Sequence, residues 1–241
     1  MAMESVSKGR GTLWSTLLVL FTPFLLNIFI SSAIAFSTIR AAMAEGKPLS
    51  EIRVEVACNL YKYSFLWSVI EVGLGLCLAR AMGGWAWLKE QFSLEDFSSN
   101  PVRSLLLILA LFAVSHGLIM SEQLIQADME YWRKVARALP LWSKLYLVAI
   151  APLIAGIFEE VIWRGYGINR LEQHLGTGKA VVVQAIAFGF LHGISLHTLV
   201  AAIIGLIYGV VYVKRRRLLN ISIAHMVTDV MGFCVAFTVA A

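Results

Sequence analysis

Residues 145–165, LYLVAIAPLIAGIFEEVIWRG, start as an apolar run and end on two adjacent glutamates and an arginine. A helix needs about 20 mostly apolar residues to cross a bilayer, and this stretch reads as such a span. Glu159, Glu160 and Arg164 then stand where lipid disfavours them. Ionisable side chains inside a span are costly and mark a functional interior by default. What surrounds this run decides the fold, and what offsets its charges decides the chemistry.

The whole chain shares the character of the run. It has 241 residues, 59% hydrophobic and 15% charged, with a mean hydropathy of +0.77. Soluble domains average about 45–50% apolar and about 25% charged, so the composition describes an integral membrane protein. The net charge of +5 fits positive-inside bias, and no basic, aromatic-interleaved stretch points to nucleic acid. Candidate spans lie near 12–37, 63–82, 103–121, 143–165, 179–194, 196–213 and 218–240. The expected fold is all-α: a polytopic bundle of about seven spans, six to eight being compatible, with interfacial helices. Residues 1–241 read as a single membrane domain, with 1–142 supplying N-terminal spans and interfacial segments.

The first span follows Lys8 and Arg10 and reads as uncleaved, because its apolar stretch exceeds a signal-peptide core. Pro23 interrupts it, which leaves open a re-entrant turn. Residues 83–99 and 122–142 mix aromatic or apolar residues with charges and read as interfacial, the second as an amphipathic helix. Lys and Arg, above all the run Lys214 to Arg217, favour a cytoplasmic N-terminus. Cys58, Cys77 and Cys234 form no CxxC pair and read as free thiols. A plasma membrane of bacterial type is expected rather than the endoplasmic reticulum.

Intramembrane ionisable residues form a short set: Glu71, His116, Glu159, Glu160, Arg164, His192, His225 and Asp229. The last six fall into three blocks with a common spacing of four, Glu160/Arg164, Phe188/His192 and His225/Asp229. Positions i and i+4 share a helix face, so each block aims two side chains one way. Glu160 preceding Arg164 is the favourable order for a helical ion pair. Glu159 lies about 100° round an α-helix from Glu160, outside that pair, and is the better candidate for a general base acting on water. His192 is placed to hold the same water. His225 and Asp229 read as a second wall, suited to an oxyanion or a metal. Gly176 and Gly178 mark a turn, and Glu159 and His192 are equally far from it along the chain. Whether residues 193–197 form a re-entrant loop or leave the membrane stays open. Pro152 offers a kink before the carboxylates. Gly189/Gly193 and Gly205/Gly209 read as close helix packing. Glu71 and His116 read as polar groups paired inside the bundle, and His174 and His197 as solvated turn residues.

In order and spacing, EExxxR (Glu159, Glu160, Arg164), FxxxH (Phe188, His192) and the final block His225/Asp229 resemble the CAAX prenyl endopeptidase and bacteriocin-processing family of intramembrane proteases, also called CPBP or ABI. The resemblance covers about residues 145–235, the expected protease core. It implies an endopeptidase acting on a membrane protein or lipidated peptide at the bilayer. It implies that Glu159 and His192 activate water and that His225 and residue 229 stabilise the oxyanion, with Glu160, Arg164 and Phe188 in support. This chain departs from the pattern at Asp229, where the family usually has asparagine; an ionised aspartate has no hydrogen to donate. No cofactor is preferred. Zinc is the alternative, with Glu159, His192, His225 and Asp229 as its ligands. HExxH and GxGD motifs are missing, and Ser195 beside His192 has no base and oxyanion arrangement of its own. The competing functions are a non-catalytic scaffold or immunity-type protein of the same fold, and a proton-coupled transporter, which the lack of an internal repeat disfavours.

Overall fold

The computed structural model describes residues 12–126 and 128–239, all of whose regular structure is helical. Lys8 and Arg10, on which part of the orientation argument rests, lie outside the described residues. In chain order the helices are α1 (Leu13–Ala44), α2 (Leu49–Met82, with a break at Tyr63), α3 (Gly84–Gln91), α4 (Glu95–Ser98), α5 (Pro101–Gln126), α6 (Met129–Ala138), α7 (Leu141–Leu175), α8 (Thr177–Leu191), α9 (Leu196–Arg215) and α10 (Leu219–Val239). Six of them, α1, α2, α5, α7, α9 and α10, are long and apolar enough to cross a membrane, and α8 is a shorter apolar helix. The chain is a polytopic helical bundle, and large apolar residues such as Phe29, Leu106 and Leu153 cover its outside.

Several expectations change in detail. α1 runs through Pro23 without a re-entrant turn, and Pro23 is buried. The second membrane helix starts at Leu49 rather than near residue 63. Its first half carries Glu51, Arg53, Glu55 and Lys62, which hid it from a hydropathy scan. It is held by α6, whose Val135 and Leu139 pack on Ala57 and Cys58. The amphipathic reading of that surface helix therefore survives, with its apolar face turned to a neighbouring helix. Gly176 has φ of +75° and ends α7, whereas Gly178 lies inside α8.

α7 is not a uniform α-helix. It widens into π-helical turns at Tyr146–Ile150 and Glu160–Ile168. Pro152 sits just after the first and has no N–H to give to the preceding turn; the wider turn takes up that defect. The second begins at Glu160, just after Glu159, and carries Arg164. The run at 214–217 is also more than an orientation signal. Arg215 pairs with Asp96 at 2.7 Å, Arg216 with Glu172 at 2.8 Å and Arg217 with Glu90 at 3.0 Å, so α9 is tied to α3, α4 and α7.

Candidate active site

Two glycines bring three helices together around the charged turn of α7. A Cβ on Gly156 would lie 3.1 Å from the Ser222 carbonyl oxygen and 3.2 Å from the Met226 nitrogen. Only a bare Cα lets α7 sit this close to α10. A Cβ on Gly75 would lie 2.5 Å from Phe158 Cδ1, so α2 approaches α7 in the same way. Close approach through small residues is the usual packing device of membrane helices. It places Glu71 and the pair His225/Asp229 on either side of Glu159.

Glu160 and Arg164 are both fully buried, and Arg164 Nη1 donates to Glu160 Oε1 at 3.1 Å. The guanidinium also stacks on Phe188, 4.3 Å from its ring centre, and lies 5.4 Å from that of Tyr208. Glu160 Oε1 is shared, because His225 Nδ1 stands 2.8 Å from it. A carboxylate there holds imidazole and guanidinium in register. The other ring nitrogen, Nε2, faces Glu159 Oε2 at 3.7 Å and Asp229 Oδ2 at 3.6 Å. Glu159 stays outside the Glu160–Arg164 pair, and the two glutamates address opposite nitrogens of one imidazole. Oε2 of Glu159 is buried without a hydrogen-bond partner.

His192 ends α8. Its Nδ1 is 3.1 Å from the Phe188 carbonyl oxygen, an acceptor only, so Nδ1 carries the hydrogen and a neutral ring offers Nε2 as its acceptor. The Phe188 ring sits between the histidines, 5.2 Å from His192 and 6.3 Å from His225, centre to centre. Glu159, Glu160, Arg164, Phe188, His192, His225 and Asp229 therefore fall in one cluster. Leu191 and Glu159 line the same cavity of about 10 Å³, roughly the room for one water, together with Glu71, Trp67 and Pro23. Asp229, its side chain 26% exposed, is the open side of the cluster.

The hairpin of α8 and α9 carries His192 at its tip. α8 spans only about 22 Å at 1.5 Å per residue, short of a bilayer core of about 30 Å. Gly189, Gly205 and Gly209 line the seam; a Cβ on Gly189 would lie 2.6 Å from the Thr198 carbonyl oxygen. Gly193 has open space around it and φ of +92°, so it is a turn residue and not part of a packing motif. The tip satisfies its own backbone: Thr198 Oγ1 donates to the Gly193 carbonyl at 2.6 Å, and the Ser195 N–H donates to Thr198 Oγ1 at 3.0 Å. That is the condition for irregular backbone at membrane depth. Ser195 is consumed as the N-cap of α9.

Four site neighbours escaped the sequence reading. Glu71, read as an ordinary bundle residue, faces Glu159 closely enough to exchange a hydrogen bond. His197, expected to be solvated, has Nδ1 2.7 Å from Glu122 Oε2, and its ring centre is 5.0 Å from that of His192. Asn27 donates to the Leu191 carbonyl at 2.6 Å. The ring of Tyr208 lies 6.1 Å from that of His225. Unsatisfied polar residues in apolar spans were the available signal, and for Glu71 it was present. His116 stacks on Phe112 with Nδ1 unpartnered, apart from the cluster. Among the described residues no three His, Cys, Asp or Glu side chains are grouped to hold a metal ion. His225 Nδ1 is committed to Glu160, which leaves Nε2 facing Glu159 and Asp229.

Residues 140–231 match a protein-family model described as type II CAAX prenyl endopeptidase Rce1-like. The matched segment holds α7, α8, α9 and the first half of α10, with all three motif blocks. This is the family that the motifs resemble. No curated protein and no solved structure matches the chain.

Proposed function

We propose that the protein is an intramembrane endopeptidase that hydrolyses a peptide bond of a membrane-associated or lipidated substrate. The observation that carries this reading is the cluster in which His225 faces Glu159 and Asp229 through Nε2, with His192 across the Phe188 ring from it. Glu159 accepts a proton from water through Oε2, which makes no hydrogen bond of its own. His192 holds the same water through Nε2. The water oxygen bonds to the scissile carbonyl carbon, and the carbonyl oxygen gains the negative charge. His225 acts as the imidazolium, donating Nδ1–H to Glu160 and presenting Nε2–H to that oxyanion. Glu159 then passes its proton to the departing amine nitrogen as the C–N bond breaks, leaving an amine and a carboxylic acid, which ionises by giving up the second proton of the water.

Asp229 stands one helical turn beyond His225 and 3.6 Å from its Nε2. As a carboxylate it supports the imidazole and leaves oxyanion donation to His225. Arg164 is walled in by Glu160, Phe188 and Tyr208, and supports the geometry without touching substrate. Each proton movement is carried by the chain's own side chains.

The test uses the full chain in proteoliposomes and internally quenched peptides ending in a prenylated Cys-a-a-X sequence, with unprenylated controls. Wild type is expected to cleave, and Glu159→Gln and His192→Ala to lose at least about 100-fold in kcat, the lower bound of the general acid–base range. Full activity in Glu159→Gln would remove the mechanism. A cellular effect of the whole protein that survives both substitutions would favour the scaffold reading.

A further inference from the structure

The family match and the motifs stop at α7 to α10, yet three helices outside that segment each send one polar side chain to the site. From α1, Asn27 Nδ2 donates to the carbonyl oxygen of Leu191 at 2.6 Å. That acceptor belongs to the residue just before His192, at a helix end where carbonyls lack partners within the helix. The amide is itself oriented by Ser31 Oγ, which donates to Asn27 Oδ1 at 2.8 Å. One residue earlier, Phe190 packs against Phe24 of α1, ring centres 5.3 Å apart. From α5, Glu122 is buried and holds His197 Nδ1 at 2.7 Å, on the far side of the same tip. From α2, Glu71 is buried beside Glu159, and the two line one cavity.

We infer that Asn27, Glu71 and Glu122 are positioning residues of the candidate active site: Asn27 and Glu122 clamp the α8–α9 tip from two sides and so set the place of His192, and Glu71 sets the carboxyl of Glu159. The inference rests on the endopeptidase reading for its kinetic consequences but on contacts alone for its geometry. Each of the three is a polar group in a span that lipid would penalise. Each spends its polarity on a residue of, or next to, the catalytic set. α8 spans about 22 Å at 1.5 Å per residue, shorter than a bilayer core of about 30 Å. Contacts from α1 and α5 hold its C-terminal end. A 1 Å misplacement of a catalytic group can cost about 100-fold in rate, so second-tier contacts of this kind are read in kcat.

The experiment compares Asn27→Ala, Asn27→Asp, Glu122→Gln, Glu71→Leu and Glu71→Gln in the full-length protein. Asn27→Asp keeps the size but removes the donor to Leu191. Glu71→Gln keeps a donor toward Glu159, and Glu71→Leu removes it. The expected result is a fall in kcat of about 10-fold or more for Asn27→Ala, Asn27→Asp, Glu122→Gln and Glu71→Leu, with KM within about twofold. Glu71→Gln is expected to recover most of the loss. In parallel, side-chain ¹⁵N spectra of histidine-labelled protein in micelles are expected to show His192 displaced by both Asn27 variants and His197 displaced by Glu122→Gln. Unchanged histidine spectra in these variants overturn the clamp whether or not any peptide is cleaved. Wild-type kcat in Glu71→Leu, in a preparation that Glu159→Gln inactivates, overturns the role of Glu71. Failure of the endopeptidase reading looks different: Glu159→Gln then leaves cleavage intact, or no peptide is cleaved, with the spectral shifts still present.

Discussion

Glu160→Gln separates the two glutamates of the opening stretch more sharply than any other substitution. Gln is nearly isosteric, so the change is one of charge and not of volume. In the native structure the Glu160 side chain is fully buried and Oε1 serves both Arg164 Nη1 at 3.1 Å and His225 Nδ1 at 2.8 Å. Glu160 is the anion paired with Arg164 among the described residues, and Arg164 is as buried as its partner. Removing one member of a buried pair leaves an uncompensated charge and costs about 3–5 kcal/mol. Against a total stability of about 5–15 kcal/mol, that is a large share. Stacking on Phe188 and Tyr208 softens the loss, and a cation–π contact out of water contributes about 2 kcal/mol. The net expectation is about 2–4 kcal/mol for Glu160→Gln. Glu159→Gln is expected to cost less than about 1 kcal/mol, because Oε2 makes no hydrogen bond and its contact to His225 is 3.7 Å long. The double variant Glu160→Gln/Arg164→Gln, which removes both charges, is expected to regain part of the loss. Equilibrium unfolding in mixed micelles, followed by circular dichroism, measures all three. Equal stability of Glu160→Gln and wild type, or an equal loss in Glu159→Gln, would refute the division of roles.

Other consequences are as specific. Gly156→Ala puts a methyl 3.1 Å and 3.2 Å from backbone atoms of Ser222 and Met226; overpacking of about 1–3 kcal/mol and a fall in kcat of about 10-fold are expected, read by the same unfolding and cleavage assays. Asp229→Asn restores the residue usual in the family and is expected to keep kcat within about threefold, whereas Asp229→Ala loses about 10-fold or more; the reverse order in the cleavage assay would return oxyanion donation to residue 229. Arg217→Ala breaks an exposed ion pair with Glu90 and is expected to cost under about 1 kcal/mol. Arg215→Ala strips Asp96, which also accepts from Asn220, and is expected to cost about 1–3 kcal/mol in the same unfolding titration.

The legible part of this molecule was what periodicity and cost make visible. Apolar runs gave the membrane bundle, because a bilayer imposes a length on every helix. The i, i+4 blocks gave the α7, α8 and α10 side chains, because a charge in a span needs a partner close by. Three features stayed hidden for physical reasons. The π-helical turn that begins at Glu160 turns on backbone spacing, which no residue type declares. The first half of α2 is too polar to scan as a span and is helical through its contact with α6. Asn27, Glu71, Glu122 and His197 act across long sequence separations, such as the 164 residues between Asn27 and Leu191. Gly193 shows the opposite error: a GxxxG spacing suggested packing where the backbone simply turns.

The central claim is that Glu159, and not Glu160, performs the chemistry. Its most direct test is kcat of Glu159→Gln on the peptide that wild type cleaves, in proteoliposomes, with the fold verified by an unchanged unfolding midpoint. The account predicts a loss of at least about 100-fold in kcat at wild-type stability. Glu159→Gln cleaving at the wild-type rate, with the fold equally intact, would contradict it.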